Sequence, residues 1–167
     1  ELVAKKYEIT RRQQDEFAAL SHQKAGAALA AGKLDAEKFT VTIPQKKGDA
    51  LQFRTDEQVR GDTTADSIAK LKPAFAEGGT VTAANASSIN DGAAALVVMS
   101  ADKAKALGLK PLAKITAYGA GGCAPEWVMM APEVSIKGVA AKLGKKPRDF
   151  DLHEINEAFS VAALALT

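Results

Sequence analysis

The chain has 167 residues, of which 47% are hydrophobic and 25% charged, and its formal net charge is +2. These values are typical of a globular protein and argue against an obligate nucleic-acid-binding protein, which would concentrate basic residues on one face. They do not exclude a small anionic ligand, because a few lysines and arginines suffice to bind phosphates. The single cysteine, Cys123, excludes an internal disulfide and indicates a reducing compartment. No apolar stretch approaches the roughly 20 residues of a membrane-spanning helix.

The first 79 residues contain patterns of both helix and strand. Thr10 and Gln13 have the spacing of a capping box, which predicts an amphipathic helix that ends near Gly32. Residues 38–43 (KFTVTI) alternate in polarity and predict a strand, and a second short strand is predicted at 51–54.

A further helix is predicted to begin after Thr64 and to continue through Ile68, Leu71 and Phe75, with an interruption near Pro73. Strands and helices do not alternate regularly in residues 1–79. This part of the chain is therefore predicted to be an insertion or a satellite domain.

The rest of the chain alternates. Strands are predicted at 96–99, 113–118 and 150–155, and helices are predicted to start at Ser100, Pro132 and Glu157. Such alternation is typical of an α/β fold with largely parallel strands.

Asn156 lies where a predicted strand passes into a helix, which is where open α/β sheets present functional groups. Its amide cannot act as a general acid or base, but it can hold a water molecule or donate a hydrogen bond to an oxyanion. Alternatively, Asn156 caps the next helix, with Glu157 in the first turn, and the spacing alone favours this cap.

Residues 80–95 (TVTAANASSINDGAAA) are almost all small, so another chain or a ligand can approach their backbone closely. Ser87 offers a hydroxyl in this segment. A tightly packed turn would explain the same composition.

Other polar residues give weaker signals. His153 is interpreted as a packed or hydrogen-bonded side chain, and Cys123 as incidental, since no base is seen beside it. Glu154 and Glu157 do not form a convincing acid/base pair. The two histidines lie far apart in the sequence, so no metal site is predicted.

Taken together, several stretches resemble the thiolase family, in particular its acetyl-CoA acetyltransferase branch. The matching stretches run in family order over essentially the whole chain: RRQQDEFAALSHQKA (11–25), LKPAF (71–75), TVTAANASSINDGAAALVVMS (80–100), KALGLKPLAKI (105–115), PEWVMMAP (125–132) and HEINEAFS (153–160).

The resemblance implies an α/β thiolase-like fold, which in a complete protein stacks as α/β/α/β/α layers, with this chain as a partial copy. Residues 1–79 would form the inserted loop domain, which serves CoA binding and oligomerisation. Residues 80–107 would end the N-terminal thiolase half, and residues 108–167 would start the C-terminal half.

The resemblance also implies a reversible Claisen condensation of two acetyl-CoA molecules to acetoacetyl-CoA and CoA. Asn156 would position a water molecule in an oxyanion hole. CoA would be bound by a set of residues matched to the family: Ser87, Arg60, Phe75, Ala83, Ala158 and Phe159. CoA thioesters would be the substrates, without a further cofactor or a metal. Neither nucleic acid nor a membrane is expected as a partner, and the complete enzyme would be a homotetramer or a dimer.

Three departures from the family accompany this match. Ala84 and Ser88 stand where family members usually have glycine, and His153 replaces an aliphatic residue. The nucleophilic cysteine, a histidine and a second cysteine of the family would lie outside residues 1–167, and Cys123 matches neither cysteine. The chain alone is therefore expected to be inactive and to be an internal piece of a longer enzyme.

Two other functions stay open: a 3-ketoacyl-CoA thiolase of fatty-acid degradation, and a non-catalytic CoA-binding module. The expected location is the cytoplasm, with the mitochondrial matrix as the alternative.

Overall fold

A computed structural model describes all 167 residues and divides them into two compact units. Unit 1 consists of residues 1–87, residues 157–165 and Thr167, and unit 2 consists of residues 88–156 and Leu166. The helices are α1 (Leu2–Lys6), α2 (Arg11–Ala30), α3 (Ala65–Ile68), α4 (Ala101–Ala106), α5 (Ala131–Lys142) and α6 (Ser160–Leu166). Short 3-10 helices lie at Asp35–Glu37, Pro125–Met130 and Pro147–Asp149. The strands are β1 (Val41–Ile43) and β2 (Leu51–Phe53). No helix has both the length and the apolar character needed to cross a membrane.

The start of α2 confirms the predicted capping box. The Thr10 hydroxyl accepts a hydrogen bond from the Gln13 amide at 3.2 Å, and the Gln13 side chain accepts one from the Thr10 amide at 2.8 Å. These bonds satisfy backbone donors that the first helical turn would otherwise leave without partners. The helix extends to Ala30, close to the predicted end at Gly32.

Four helices end in the same way. After α1, the Ile9 amide donates to the Ala4 carbonyl at 2.9 Å, and the equivalent bonds close α2, α4 and α5. This Schellman arrangement requires a left-handed residue between the helix and the donor. In three helices that residue is glycine, namely Gly32, Gly108 and Gly144, but after α1 it is Glu8, with φ at 55°.

The core of unit 1 combines small apolar residues with buried polar ones. Its buried apolar residues are Val3, Ala4, Ala18, Ala19, Ala65, Val81, Val161, Ala162 and Ala163. The largest side chains that are fully buried are polar: Gln14, Thr82 and Asp15. Burial of polar groups costs free energy unless they are hydrogen-bonded, and Gln14 Oε1 is the one buried polar side-chain atom without a partner, so the arrangement of this core depends on specific bonds.

Asp15 is the centre of these bonds. Its carboxylate accepts from Arg11 Nε at 2.7 Å and from Asn85 Nδ2 at 2.9 Å. The Arg11 guanidinium also donates to the carbonyls of Ile68, at 2.9 Å, and Leu71, at 3.1 Å. A single carboxylate on α2 therefore links the end of α3 to the segment that contains Asn85.

The helix predicted after Thr64 is shorter than expected. Thr64 does cap it, accepting from the Ser67 amide at 3.2 Å, but α3 ends at Ile68 and does not continue through Leu71 to Phe75. Arg11 binds the carbonyls of Ile68 and Leu71, which a longer helix would have used in its own hydrogen bonds. Tertiary contacts therefore override the local pattern.

The two predicted strands of unit 1 pair with each other. β1 and β2 are antiparallel, with Val41 opposite Phe53 and Ile43 opposite Leu51. Residues 41–43 and 51–53 confirm the positions of the predicted strands, although β1 is shorter than predicted.

The strands predicted in unit 2 are not formed. Residues 96–99, 113–118 and 150–155 contain no β-strand, and Leu96 is 89% exposed. A strand exists only through hydrogen bonds to a neighbour, and no described segment pairs with these three. Residues near 118 instead run beside α5, where Lys142 Nζ donates to the Tyr118 carbonyl at 2.7 Å.

Unit 2 has a small core of its own, formed by Ala104, Met130 and Ala140. Its helices confirm two predicted starts, since the Ser100 hydroxyl caps α4 and Pro132 lies in the first turn of α5. The domain boundaries expected at residues 79/80 and 107/108 concern the architecture of a complete thiolase and stay a prediction.

Replacing Glu8 by glycine is expected to stabilise the protein by about 1 kcal/mol, because glycine adopts the left-handed conformation without the steric cost that a side chain adds. The free energy of unfolding in urea measures this change. The matched control is Gly32→Ala, which introduces a side chain at the equivalent position after α2 and should destabilise the protein by a similar amount. Equal free energies of unfolding for Glu8→Gly and the unmodified chain would contradict the left-handed conformation of Glu8.

Replacing Asp15 by alanine is expected to lower the free energy of unfolding by about 3–5 kcal/mol, since Arg11 Nε and one N–H group of the Asn85 amide would lose their acceptor in the interior. The control is Glu16→Ala on the same helix. Glu16 pairs with Arg12 at the same helical spacing but is exposed, so its loss should cost about 1 kcal/mol or less. Similar losses in both variants would show that Asp15 does not organise the core.

Candidate functional site

The small-residue segment is shaped by Asn85. Its side-chain carbonyl accepts from the Thr82 amide at 2.8 Å, and its amide group donates to Asp15 and to the Thr80 carbonyl. Asn85 is 2% exposed. Asparagine favours such turns because its short side chain can bind the nearby backbone. The turn therefore fixes the course of residues 82–87.

This turn brings residues 85–87 against residues 158–160, and we call the two together the junction. The Ser87 amide donates to the Ala158 carbonyl at 2.9 Å, and the Ser160 amide donates to the Asn85 carbonyl at 3.0 Å. Ala86 and Phe159 form an isolated antiparallel bridge. The structure thus brings together Ser87, Ala158 and Phe159, which the family resemblance assigns to CoA binding.

Phe75 also reaches the junction. Its ring lies 6.0 Å from that of Phe159 at an interplanar angle of 79°, an edge-to-face arrangement that aromatic rings favour. Phe75 is 67% exposed and lies in a shallow depression of about 410 Å³ lined by residues 72–78. Its loop is tied to the small-residue segment because the Ala74 amide donates to the Val81 carbonyl at 2.9 Å. An exposed aromatic ring can stack on a flat ligand, and Lys72, which lines the same depression, can bind an anionic group.

Arg60 lies on a different loop, which packs on α2. Its amide donates to His22 Nδ1 at 3.4 Å, and Gln23 Nε2 donates to the Thr63 carbonyl at 2.8 Å. The backbones are so close that a Cβ added to Gly26 would lie 2.7 Å from the Cα of Gly61. The contact that the structure gives Arg60 is therefore with α2, and its side chain is exposed.

Ala83 and Asn156 are both exposed. Ala83 lies in the turn made by Asn85. Asn156 precedes Glu157 in a segment without regular secondary structure, and α6 begins at Ser160 with Phe159 as its N-cap. The interpretation of Asn156 as a helix cap is therefore wrong, because the helix starts later than the sequence pattern predicts.

Two residues that the sequence patterns singled out lie in unit 2 and make local contacts. His153 Nε2 is 2.9 Å from the Pro147 carbonyl, and its ring packs edge-to-face on Phe150. Cys123 is exposed, and its Sγ donates to the Trp127 carbonyl at 3.1 Å. No cluster of His, Cys, Asp or Glu side chains could hold a metal ion.

Three residues that matter for the geometry were missed by the sequence analysis: Asp15, Asn85 and Ser21. Ser21 Oγ donates to Glu157 Oε2 at 2.7 Å, across 136 positions of sequence. Only Asn85, an asparagine among small residues, carries a local signal of a turn. Asp15 and Ser21 look like ordinary polar residues of a surface helix, so no local pattern could have revealed them.

Glu1 fixes the other end of the small-residue segment. Its carboxylate accepts from the amides of Thr80, at 2.9 Å, and Val81, at 3.0 Å, and from the Thr80 hydroxyl at 3.0 Å. Burial opposes its ionisation, but the hydrogen bonds from Val81 and Thr80 prevail and lower the pKa of Glu1 below 4.5.

Glu1 is expected to make stability depend on acidic pH. Since its pKa is lower in the folded state, its contribution is present above about pH 4.5 and is lost as the pH falls through the folded-state value. Glu1→Gln should therefore lose less stability than the unmodified chain between neutral pH and pH 3 in urea titrations. Glu57→Gln, at an exposed loop position, serves as the control and should follow the unmodified chain. If the free energy of unfolding fell with pH in the same way for all three proteins, the role of Glu1 would be contradicted.

Comparisons with known proteins identify the family of these residues. The family model for the thiolase N-terminal domain matches residues 1–102, and that for the thiolase C-terminal domain matches residues 109–167. The chain is 56% identical to an acetyl-CoA acetyltransferase of Cupriavidus necator over 99% of its length. It is 47% identical, also over 99% of its length, to a probable acetyl-CoA acyltransferase of Staphylococcus epidermidis. In each case the match spans 42% of the relative.

A solved structure extends the comparison to the fold. The crystal structure of the Bacillus anthracis acetyl-CoA acetyltransferase matches with a TM-score of 0.90 and 43% identity, over 98% of this chain and 41% of that one. The predicted α/β thiolase-like fold is thereby confirmed, although unit 2 shows no paired strands. The two family models and the shared fold establish that these residues belong to the thiolase family.

Proposed function

We propose that the protein containing these residues is an acetyl-CoA acetyltransferase, which condenses two acetyl-CoA molecules to acetoacetyl-CoA and CoA in a reversible reaction. The observation that carries the proposal is the 56% identity to an acetyl-CoA acetyltransferase over nearly the whole chain. The junction supports it, because Ser87, Ala158 and Phe159, three of the six residues that the family resemblance assigns to CoA, lie together there.

The proposed reaction has two bond-forming steps. A cysteine thiolate attacks the carbonyl of one acetyl-CoA and releases CoA, which leaves an acetyl thioester on the enzyme. A base then removes an α-proton from a second acetyl-CoA, and the carbanion attacks the acetyl-enzyme to form acetoacetyl-CoA and regenerate the thiolate. Negative charge develops on a thioester oxygen in each step, so both steps need hydrogen-bond donors at that oxygen.

Asn156 is proposed to meet one of these needs. Its amide would hold a water molecule that donates a hydrogen bond to the enolate oxygen of the second acetyl-CoA. The exposure of Asn156 supports this role, since its amide is accessible to a ligand. Glu157, which follows it, is engaged by Ser21 and is not proposed as a base.

The wall of the CoA channel is proposed to be the junction. Ala83, Ser87, Ala158 and Phe159 would line the path of the pantetheine chain, where small side chains leave room for it. Phe75 would contact the nucleotide end of CoA, and Arg60 would lie near the nucleotide phosphates. CoA thioesters are the proposed substrates, with no additional cofactor.

Residues 1–167 are not proposed to catalyse the reaction alone. Their single cysteine, Cys123, donates to the Trp127 carbonyl, and no histidine lies among its described partners. The nucleophile and the base are therefore assigned to parts of the protein beyond these residues. We further propose a homotetramer or a dimer in the cytoplasm, with the mitochondrial matrix as the alternative location.

A second candidate is a 3-ketoacyl-CoA thiolase that acts on longer chains. The relative from Staphylococcus epidermidis, which is named an acyltransferase, favours this candidate. Thiolysis rates of the full-length protein with acetoacetyl-CoA and with a long-chain 3-ketoacyl-CoA separate the two. A preference for the long chain would replace the first proposal by the second.

The role of Asn156 is tested in the full-length protein with Asn156→Ala. The kcat for thiolysis of acetoacetyl-CoA should fall about 100-fold or more, because an oxyanion-hole donor acts mainly in the transition state. Gln45→Ala, which removes an exposed amide beside β1, is the control and should leave kcat unchanged. An unmodified full-length protein that binds CoA but does not thiolyse either substrate would overturn the proposed activity and favour a binding module.

A further inference from the structure

We propose that Ser21 is a positioning residue for Asn156, acting through Glu157. This inference rests on the proposed role of Asn156 and deepens it. It assigns to α2 a part in aligning the oxyanion site, in addition to its part in the core.

The contact is short and polar. Ser21 Oγ donates to Glu157 Oε2 at 2.7 Å, the distance typical of a hydroxyl bound to a charged acceptor. Ser21 lies on the third turn of α2, the longest helix of the chain, which is fixed at its start by the capping box and at Asp15 by buried bonds. The donor is therefore on a rigid support, whereas the acceptor lies in a segment without regular secondary structure.

The segment beyond Asn156 is held at successive residues. The Ala158 carbonyl accepts from Ser87, Phe159 bridges Ala86, and the Ser160 amide donates to Asn85. Glu157 is the first residue of this series, and its side-chain bond to Ser21 is the attachment nearest to Asn156 along the chain. Before Asn156, the nearest described hydrogen bond is that of His153 to the Pro147 carbonyl.

Loss of the Ser21 hydroxyl would therefore move the nearest attachment from the residue adjacent to Asn156 to Ala158. One more residue would be free to rotate about its backbone dihedrals. Displacements of about 1 Å in a catalytic group can lower a rate as much as 100-fold, so a small increase in freedom is sufficient to affect catalysis. Stability should change little, because Glu157 is exposed and water can replace the bond.

The test uses the full-length protein with Ser21→Ala and Ser21→Thr. For Ser21→Ala, kcat for acetoacetyl-CoA thiolysis should fall about tenfold while the KM for CoA stays within about twofold, since the lost interaction acts on alignment and not on binding. Ser21→Thr keeps a hydroxyl and should restore most of kcat. Combining Ser21→Ala with Glu157→Ala should lower kcat no further than either variant alone.

The matched control is Thr42→Ala in the β hairpin. Thr42 Oγ1 donates to Gln52 Oε1 at 3.0 Å, so this variant also removes an exposed hydroxyl that binds a side-chain oxygen. Its kcat should equal that of the unmodified protein. A Ser21→Thr variant as slow as Ser21→Ala, or additive effects of Ser21→Ala and Glu157→Ala, would overturn the inference.

A second measurement does not depend on activity. Amide hydrogen exchange in the full-length protein should be faster at Ser87 and Ser160, whose amides hold the segment that follows Glu157, in Ser21→Ala than in the unmodified protein, and unchanged in Thr42→Ala. Equal exchange rates at these residues would overturn the positioning role whether or not the protein is a thiolase. Conversely, the unmodified protein could lack thiolase activity while Ser21→Ala still changes the exchange rates as expected. That result would overturn the proposed function and leave the attachment of Glu157 to α2 in place.

Discussion

The hydrogen bond between Asp15 and Asn85 is the interaction on which the rest of unit 1 depends. Both side chains are buried, with 1% and 2% of their surface exposed. The Asp15 carboxylate pairs with Arg11, so it is stable in the interior only while its partners keep their positions. This requirement fixes the end of α3 through Arg11 and the turn at residues 82–85 through Asn85.

The consequence for the site is that its geometry is set by backbone atoms. Asn85 presents its carbonyl to Ser160 and directs the Ser87 amide to Ala158, so residues 85–87 and 158–160 meet through backbone hydrogen bonds. The channel proposed for the pantetheine chain would depend on this arrangement, because each added side chain would reduce its width. Ala84 and Ser88, where the resemblance to thiolases implies glycine, flank residues 85–87 in the sequence.

Local sequence patterns were sufficient to predict the helix ends that are fixed by residues of the helix itself or by residues next to it. The capping box of α2, the hydroxyl cap of α4 and the glycine ends of three helices are all short-range features, and each lies where the sequence indicates. Features that depend on distant partners were not predictable in this way. The early end of α3 follows from Arg11, and the strands predicted at 96–99, 113–118 and 150–155 need neighbours that residues 1–167 do not supply. The proximity of Ser87, Ala158 and Phe159 came from family resemblance, since nothing in their spacing indicates that they meet.

Unit 1 is discontinuous, because residues 157–165 complete it only after the whole of residues 88–156 has been made. At a synthesis rate of about 5–20 residues per second, several seconds pass between the two parts. During that time the Asn85 carbonyl and the Ser87 amide have no partner from α6 or its leading segment, and Val81 and Ala19 lie beside a core that lacks Val161 and Ala162. Unit 1 therefore stays incomplete until residues 157–165 have been synthesised. Because unit 1 is built from two separate parts of the chain, the hydrogen bonds between residues 85–87 and 158–160 form late and together.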